Sequence, residues 1–468
     1  MNKLVPAGLL AASSAVTGCV SISPDYERID APVPEQFAAY GAFAQSTAPL
    51  TWRGVIENEH LRGLIETALE DNRDLKIAAA NVRLAKAQYG ITGAARLPSV
   101  SISAQAREGD TFEDDATLAA QSAFSDSASA NLAVTSYELD LFGRVASLNQ
   151  SALQSWLATV EGERAAKISV SAAIAETWIQ LAANKQLLEL SQETAESQYR
   201  SLELTQRLFE TGVSNELAVR RASSSVHSAR ADAAQFEALM RQNINALRLL
   251  VGSDLPENLI AYVGEDAMPV ASHLPIVNSS DILLLRPDIL QAERNLIAAN
   301  ADIAAARAAF FPRISLSAGA GYVSADLSDL IDPMSGGWSF TPQISLPIFD
   351  AGARRQSLNV SKAAEDIALA QYERAIQAGF RDVANAMIDT DSILKRLDAL
   401  ESLVEDTGVT LELSQQRFRV GVDNYLSVLD AQRAHFSARQ RLITAQRDLA
   451  LNSVAIYRAL GSWPDEPV

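Results

Sequence analysis

The chain has 468 residues and a formal net charge of −18 at pH 7, with 48% hydrophobic and 6% aromatic residues. An acidic balance of that size excludes a nucleic-acid binder, which needs a basic footprint to displace counterions from phosphate. Ordinary apolar content, few aromatics and much Ala, Leu, Ser and Gln are the mix of long packed helices.

The N-terminus carries Lys3, an apolar run from Leu4 to Val16, and then Thr17, Gly18 and Cys19. Residues 1–18 have the layout of a secretory signal with small residues at the cleavage point. The run is too short to remain as a spanning helix. Val16-Thr17-Gly18-Cys19 resembles the bacterial lipobox, which implies that Cys19 becomes the lipidated first residue of the mature chain. An ordinary signal cut nearby and a buried structural cysteine are the alternatives. Val20, not Asp, follows it, which in lipoproteins generally fits retention in the outer membrane. Residues 19–56 hold Pro24, Pro32, Pro34 and Pro49 and read as an extended arm.

Beyond the arm, one unit occurs twice. Leu204 to Gly252 recurs as Leu413 to Gly461 at a constant offset, pairing Phe209 with Phe418, Gly212 with Gly421, Val213 with Val422, Asn215 with Asn424 and Leu217 with Leu426. A second constant offset pairs Asp74 with Asp288, Asn81 with Asn295, Pro98 with Pro312 and Ser101 with Ser315. Internal repeats decide architecture before anything else. Residues 57–252 and 281–461 are therefore two structural repeats. An irregular linker, 253–280, separates them, and residues 462–468 form a tail.

In the first repeat Leu61, Ile65, Ala68, Leu75, Ala79 and Val82 fall on a 4-3-4-3 spacing, with Asn72 the one polar member, and predict a core-facing helical stripe. After Pro98 the period changes from 3.6 to 2, which predicts strands over about 98–107 and 130–142. The alternation in the second of these slips by one residue, as a bulge requires. A long helix over 144–211, about 100 Å if continuous, and a helix over 214–251 complete the unit. The second repeat predicts a helix over 281–309, strands over about 312–323 and 338–349, and helices over 353–420 and 424–460.

Each strand carries Ser, Gly, Gln or Arg on one face and apolar residues on the other. A half-buried sheet on a soluble core has that pattern too. The neighbouring helices are far longer than such a cover needs, so a lipid-facing outside and a wet inside fit better. Strands of about ten residues cross a bilayer at a tilt. Four strands cannot close a barrel alone, and open edges are not tolerated in lipid. Two chains would give a filled eight-stranded barrel; three would give twelve strands and a pore, which is the favoured reading.

Leu285-Arg286-Pro287-Asp288, Ala292-Glu293-Arg294 and Ala305 to Leu316 resemble the outer-membrane channels of tripartite efflux pumps, the TolC-like family, and within it the lipoprotein OprM/NodT branch. Gly421-Val422-Asp423-Asn424-Tyr425-Leu426 and Leu429-Asp430-Ala431-Gln432-Arg433 resemble the same branch. The resemblance implies a mainly α fold with a membrane β-barrel: a homotrimer whose twelve strands, four per chain, close in the outer-membrane lipid and continue as an α-helical barrel in the periplasm. It implies a periplasmic adaptor and an inner-membrane RND-type pump as partners, and no catalysis or cofactor beyond the lipid on Cys19. It also implies a periplasmic gate at Leu426, Asp430 and Arg433, and adaptor-contacting tips at Gly212, Val213, Gly421 and Val422. For Asp430 and Arg433 the plain alternative is a surface ion pair three residues apart on one helix. For the Gly-Val pairs it is an ordinary helix-hairpin turn. The first repeat departs from the branch, with Ala218 after Leu217 and Arg221 in the place of Asp430.

No nucleophile elbow or phosphate-binding loop is present, and His60, His227, His273 and His435 lack the i,i+3 or i,i+4 spacing of a metal site. Two other readings stand beside the efflux duct. A coiled-coil lipoprotein tethering the envelope has no use for alternating strands, and a type I protein-secretion channel lies within the same transport class.

Overall fold

The computed structural model describes residues 27, 28, 30–37, 52–109, 126–263, 270, 279–330, 332 and 336–461. The signal, Cys19 and residues 462–468 lie outside the described residues. The elements in order are α1 Trp52–Val55, α2 Glu59–Asp71, α3 Arg73–Ala94, β1 Val100–Arg107, β2 Ser127–Leu139, α4 Arg144–Glu210, α5 Glu216–Val251, α6 Leu259–Tyr262, α7 Pro287–Ala308, β3 Arg313–Ser324, β4 Gly336–Ser345, α8 Ala353–Arg419 and α9 Tyr425–Leu460. A 3₁₀ turn, Ser280–Leu285, precedes α7.

The two repeats match residue for residue in length. The long helices α4 and α8 have 67 residues each, the return helices α5 and α9 have 36 each, and α3 and α7 have 22 each. Gly143 and Gly352, just before the long helices, both take positive φ, 76° and 88°.

One compact unit contains Asn81–Thr159 and Gln291–Tyr372. Its strands form one antiparallel sheet in the order β1-β2-β3-β4, so both outer strands keep an open edge. Ile102, Leu132, Ala320 and Trp338 lie in one cross-strand row, and Val100, Val134, Ala318 and Phe340 in the next apolar row. Between them runs a row of small residues, Ser101, Ala133, Gly319 and Ser339, with hydroxyls on the outer strands. The slip in β2 is a bulge: Val134 faces Ala318 but Tyr137 faces Leu316, and Ser136 takes φ 52°. One extra residue moves odd-numbered side chains onto the face that even-numbered ones held before it. Gly321 packs so closely on β2 that a Cβ there would lie 2.3 Å from the Ala130 carbonyl oxygen. Strand β4 stops at Ser345, two residues before Pro347, which has no N–H for the ladder.

The other unit contains Ala31–Ala80, Val160–Leu290 and Glu373–Val468. Its core includes Trp52, Leu61, Ile65, Ile174, Trp178, Leu181, Leu247, Ile289 and Tyr457, all buried. Phe37, from the N-terminal arm, is fully buried and stacks on Phe380 at 4.6 Å between ring centroids.

The helical stripe in the first repeat is not one continuous helix. It breaks at Asn72, whose side chain accepts from the Leu75 N–H and donates to the Leu250 carbonyl at 2.6 Å. Asn72 thus caps the start of α3 and ties down the end of α5 in one step. Its upstream offset lands on Arg286. Arg286 is also buried, donates to the Ala459 carbonyl at the end of α9, and forms a two-pronged ion pair with Asp288 at 3.0 and 2.7 Å. Leu250 and Ala459 are repeat equivalents, so the same corner is built twice with different chemistry. Each corner is closed by a left-handed glycine, Gly252 or Gly461, with no room for a Cβ.

Candidate functional site: the helix tips and the first turns of the return helices

Both long helices end in the same way. After α4, the Gly212 N–H bonds the Phe209 carbonyl and the Val213 N–H the Leu208 carbonyl, at 2.9 and 2.8 Å. After α8, Gly421 bonds Phe418 and Val422 bonds Arg417, at 3.0 and 2.9 Å. This paired pattern satisfies the last carbonyls of a helix and needs the left-handed residue that Gly212 (φ 77°) and Gly421 (φ 76°) supply. Asn215 and Asn424 then cap the return helices, accepting from the Ala218 and Ser427 N–H groups at 3.0 and 3.4 Å.

Inside that shared frame the two tips differ. In the first, the residue whose carbonyl receives the Val213 and Ser214 N–H groups is the apolar Leu208. In the second it is Arg417, which grips Asp423 through two hydrogen bonds of 2.7 and 3.0 Å. The Arg417 guanidinium holds the Asp423 carboxyl below the ordinary carboxylate range. Phe418 packs against Tyr425 at 5.3 Å, and burial pushes the Tyr425 phenol up.

Val213 (74%), Val420 (74%), Val422 (63%) and Leu217 (59%) are exposed at the tips. Clustered exposed apolar side chains with polar neighbours mark interaction surfaces. A cleft between the two tips is lined by Val213, Asn215, Leu217, Arg221, Asn424 and Leu426.

Leu426, Asp430 and Arg433 lie along the first turns of α9, with Asp430 and Arg433 exposed. The ion pair that their spacing permits is not formed. Arg433 instead reaches α5 and donates to the Ser225 hydroxyl at 3.1 Å. Ser225 carried no signal in the sequence, because a lone serine in a helix is ordinary. The Asn72 and Arg286 corner was equally silent: the offset brings them together, but their side chains share no type.

Among the described residues no group of three or more His, Cys, Asp or Glu could hold a metal ion, and no helix is long and apolar enough to cross a membrane. The latter says nothing of the sheet, where Ile102 (82%), Trp338 (82%) and Ile344 (70%) stand exposed on its apolar face.

The comparisons agree with one another. The model of the family described as "Outer membrane efflux protein" matches residues 64–253 and 278–462. The solvent efflux pump outer membrane protein SrpC of Pseudomonas putida is 41% identical over 451 residues, covering 95% of both chains. The outer membrane protein OprJ of Pseudomonas aeruginosa is 38% identical over 455 residues, covering 96% of this chain and 94% of that one. The open state of the Neisseria gonorrhoeae MtrE outer membrane channel aligns with a TM-score of 0.83 at 31% identity, covering 94% of this chain and 97% of that one. The long paired helices, the four-stranded sheet with bare edges and these matches converge: the chain belongs to the outer membrane efflux protein family.

Proposed function

We propose that this outer-membrane efflux channel works as a homotrimer, a passive duct through which an inner-membrane RND-type pump and a periplasmic adaptor expel small molecules. The observation that carries this reading is the sheet. Its apolar rows are exposed, the row between them is of small Ser, Ala and Gly residues, and β1 and β4 keep unpaired edges. An open edge is untenable in hydrocarbon, and joining β4 of one copy to β1 of the next removes every edge at once. Three copies give a twelve-stranded ring with room for a channel. Relatives are described as solvent, toluene and antibiotic efflux proteins; the cargo proposed here is the same class of small, largely apolar compounds. Cys19 carries the lipid anchor in this reading.

Leu426, Asp430 and Arg433 form the periplasmic gate, and Gly212, Val213, Gly421 and Val422 present the adaptor-contacting tips. Support for the tips comes from their exposed valines and from turns whose geometry is fixed by hydrogen bonds rather than by a partner. Support for the gate is the exposed, unpaired Asp430 on the same helix. The test is conductance of the detergent-extracted protein in planar bilayers. Small wild-type currents that grow steady and large in Asp430→Ala are the expected result. Clear, equal currents in both would keep the duct and remove Asp430 from its gate. A monomeric mass in detergent with no current from either would overturn the duct.

A further inference from the structure

We propose that a groove formed by α4, α5, α8 and α9 binds a free anionic amphiphile, a sulfonate or carboxylate head on an apolar body. The groove lies wholly within the unit that contains Val160–Leu290 and Glu373–Val468, and one chain supplies all four walls. It does not depend on how copies of the chain assemble. Three observations carry it. First, its lining has two parts. Leu187, Phe236, Leu239 and Leu400 form an apolar wall, Arg396, Arg441 and Arg447 a cationic one, and no acid lines it among the described residues. Its volume of about 670 Å³ is that of a small-molecule site. Second, the cations are under-matched in a chain where acids outnumber bases, 57 to 39. Asp448 alone serves both Arg396 and Arg447. Arg441 is exposed and has no partner among the described residues. Third, the first repeat has Leu187, Asp232 and Ala238 where the second has Arg396, Arg441 and Arg447. The cationic wall is therefore no requirement of the helix packing that both copies share.

The cavity beside Arg286 makes the contrast. Its three arginines, Arg286, Arg381 and Arg458, stand among Asp288, Asp382 and Asp389, so its charges balance and call for no further anion. In the groove, the free guanidinium fork of Arg441 matches a sulfonate or carboxylate and stays charged at any working pH. A small inorganic anion would gain little there, because an exposed ion pair is weak. An apolar body attached to the head covers Phe236 and the three leucines, and adds the burial that the charge alone lacks. The two walls together select an amphiphile.

The experiment is hydrogen exchange, read by mass spectrometry, of the full-length protein in phosphatidylcholine nanodiscs titrated with decane-1-sulfonate. Saturable protection of residues 184–187 and 437–447 is the expected result. Ethanesulfonate, the head alone, and decanol, the body alone, should need concentrations at least about tenfold higher. Arg441→Gln should raise the decane-1-sulfonate midpoint about tenfold. Because Arg441 is exposed, that variant should exchange like wild type when no ligand is present. The site is overturned if Arg441→Gln keeps the wild-type midpoint, if decanol matches the sulfonate, or if these segments show no saturable protection. A phospholipid that co-purifies at one per chain, and that decane-1-sulfonate cannot displace, would give the groove to a resident lipid and overturn the free ligand. None of these outcomes bears on the duct, whose own test is conductance.

Discussion

The two repeats share a backbone and differ in chemistry at three matched places. At the corner below the return helix, the first repeat holds the Leu250 carbonyl with a neutral Asn72, and the second holds the Ala459 carbonyl with a charged Arg286 braced by Asp288. At the tip, Leu208 and Ser214 stand where the second repeat has Arg417 and Asp423. One turn further on, the first repeat has Arg221 where the second has Asp430. The helix lengths, capping asparagines and left-handed glycines do not change between copies. Duplication thus preserved what sets the path of the chain, while side chains that meet other groups diverged. At two of these three places, the corner and the tip, it is the second repeat that carries an Arg–Asp pair.

The corners give the largest effects that could break this comparison. Replacing Arg286 by Ala strips a buried carbonyl of its donor and leaves a void between Gly379 and Gly461, for a cost of about 2–4 kcal/mol. Asn72→Ala loses one cap and one carbonyl contact, about 1–2 kcal/mol. Melting of both variants in detergent, followed by circular dichroism at a fixed scan rate, should rank Arg286→Ala as the more destabilised. The reverse ranking would mean that the charged corner is no stronger than the neutral one.

The closing glycines sharpen the same contrast. A Cβ on Gly252 would lie 2.6 Å from the Asp71 carbonyl oxygen, which is backbone, and one on Gly461 would lie 2.7 Å from Cγ of Arg286, a side chain pinned by Ala459 and Asp288. Gly252→Ala and Gly461→Ala therefore each cost about 2–3 kcal/mol. In an Arg286→Ala background the Gly461→Ala penalty should shrink, since the Cγ contact at 2.7 Å is gone while Cβ at 3.2 Å and Cα at 3.3 Å remain. Additive melting shifts would refute the contact as the cause.

The smallest effect belongs to the tips. Asp423→Asn should leave the melting point unchanged, because the pair with Arg417 is exposed. It should nonetheless speed tryptic cleavage after Arg417, whose side chain Asp423 holds. The sign of the pH dependence follows from the lowered Asp423 pKa. The ordering of this tip is present above the ordinary carboxylate pKa and is lost as pH falls through the lowered folded value. The first tip has Leu208 and Ser214 in those places and no titrating pair, so hydrogen exchange there should keep its ordinary pH dependence. Equal acid sensitivity at both tips would argue against Asp423 as the cause.

Much of the architecture was legible because it is written in periods. The change from 3.6 to 2 after Pro98 and Pro312, the repeat offset, and the Gly-Val turns all reflect backbone requirements that few residue types satisfy. Even the bulge in β2 was visible as a slip in alternation, since one extra residue must reverse the faces. The helical stripe through Asn72 misled because spacing reports a face and not continuity: Leu61, Ile65, Ala68 and Leu75 are all buried, on two helices. At the candidate gate, spacing allowed a pair between Asp430 and Arg433 but could not choose between that and a partner on another helix.

The sequence by itself determined the repeat and the kinds of element, because these follow from local backbone preferences and from patterns a few residues wide. Only the tertiary structure decided which side chain serves which carbonyl: that Asn72 and Arg286 hold equivalent helix ends, and that Arg433 turns to Ser225 and leaves Asp430 without a partner in its own chain. Such contacts join residues tens to hundreds of positions apart. Their strength depends on distances of a few ångströms that no periodicity encodes.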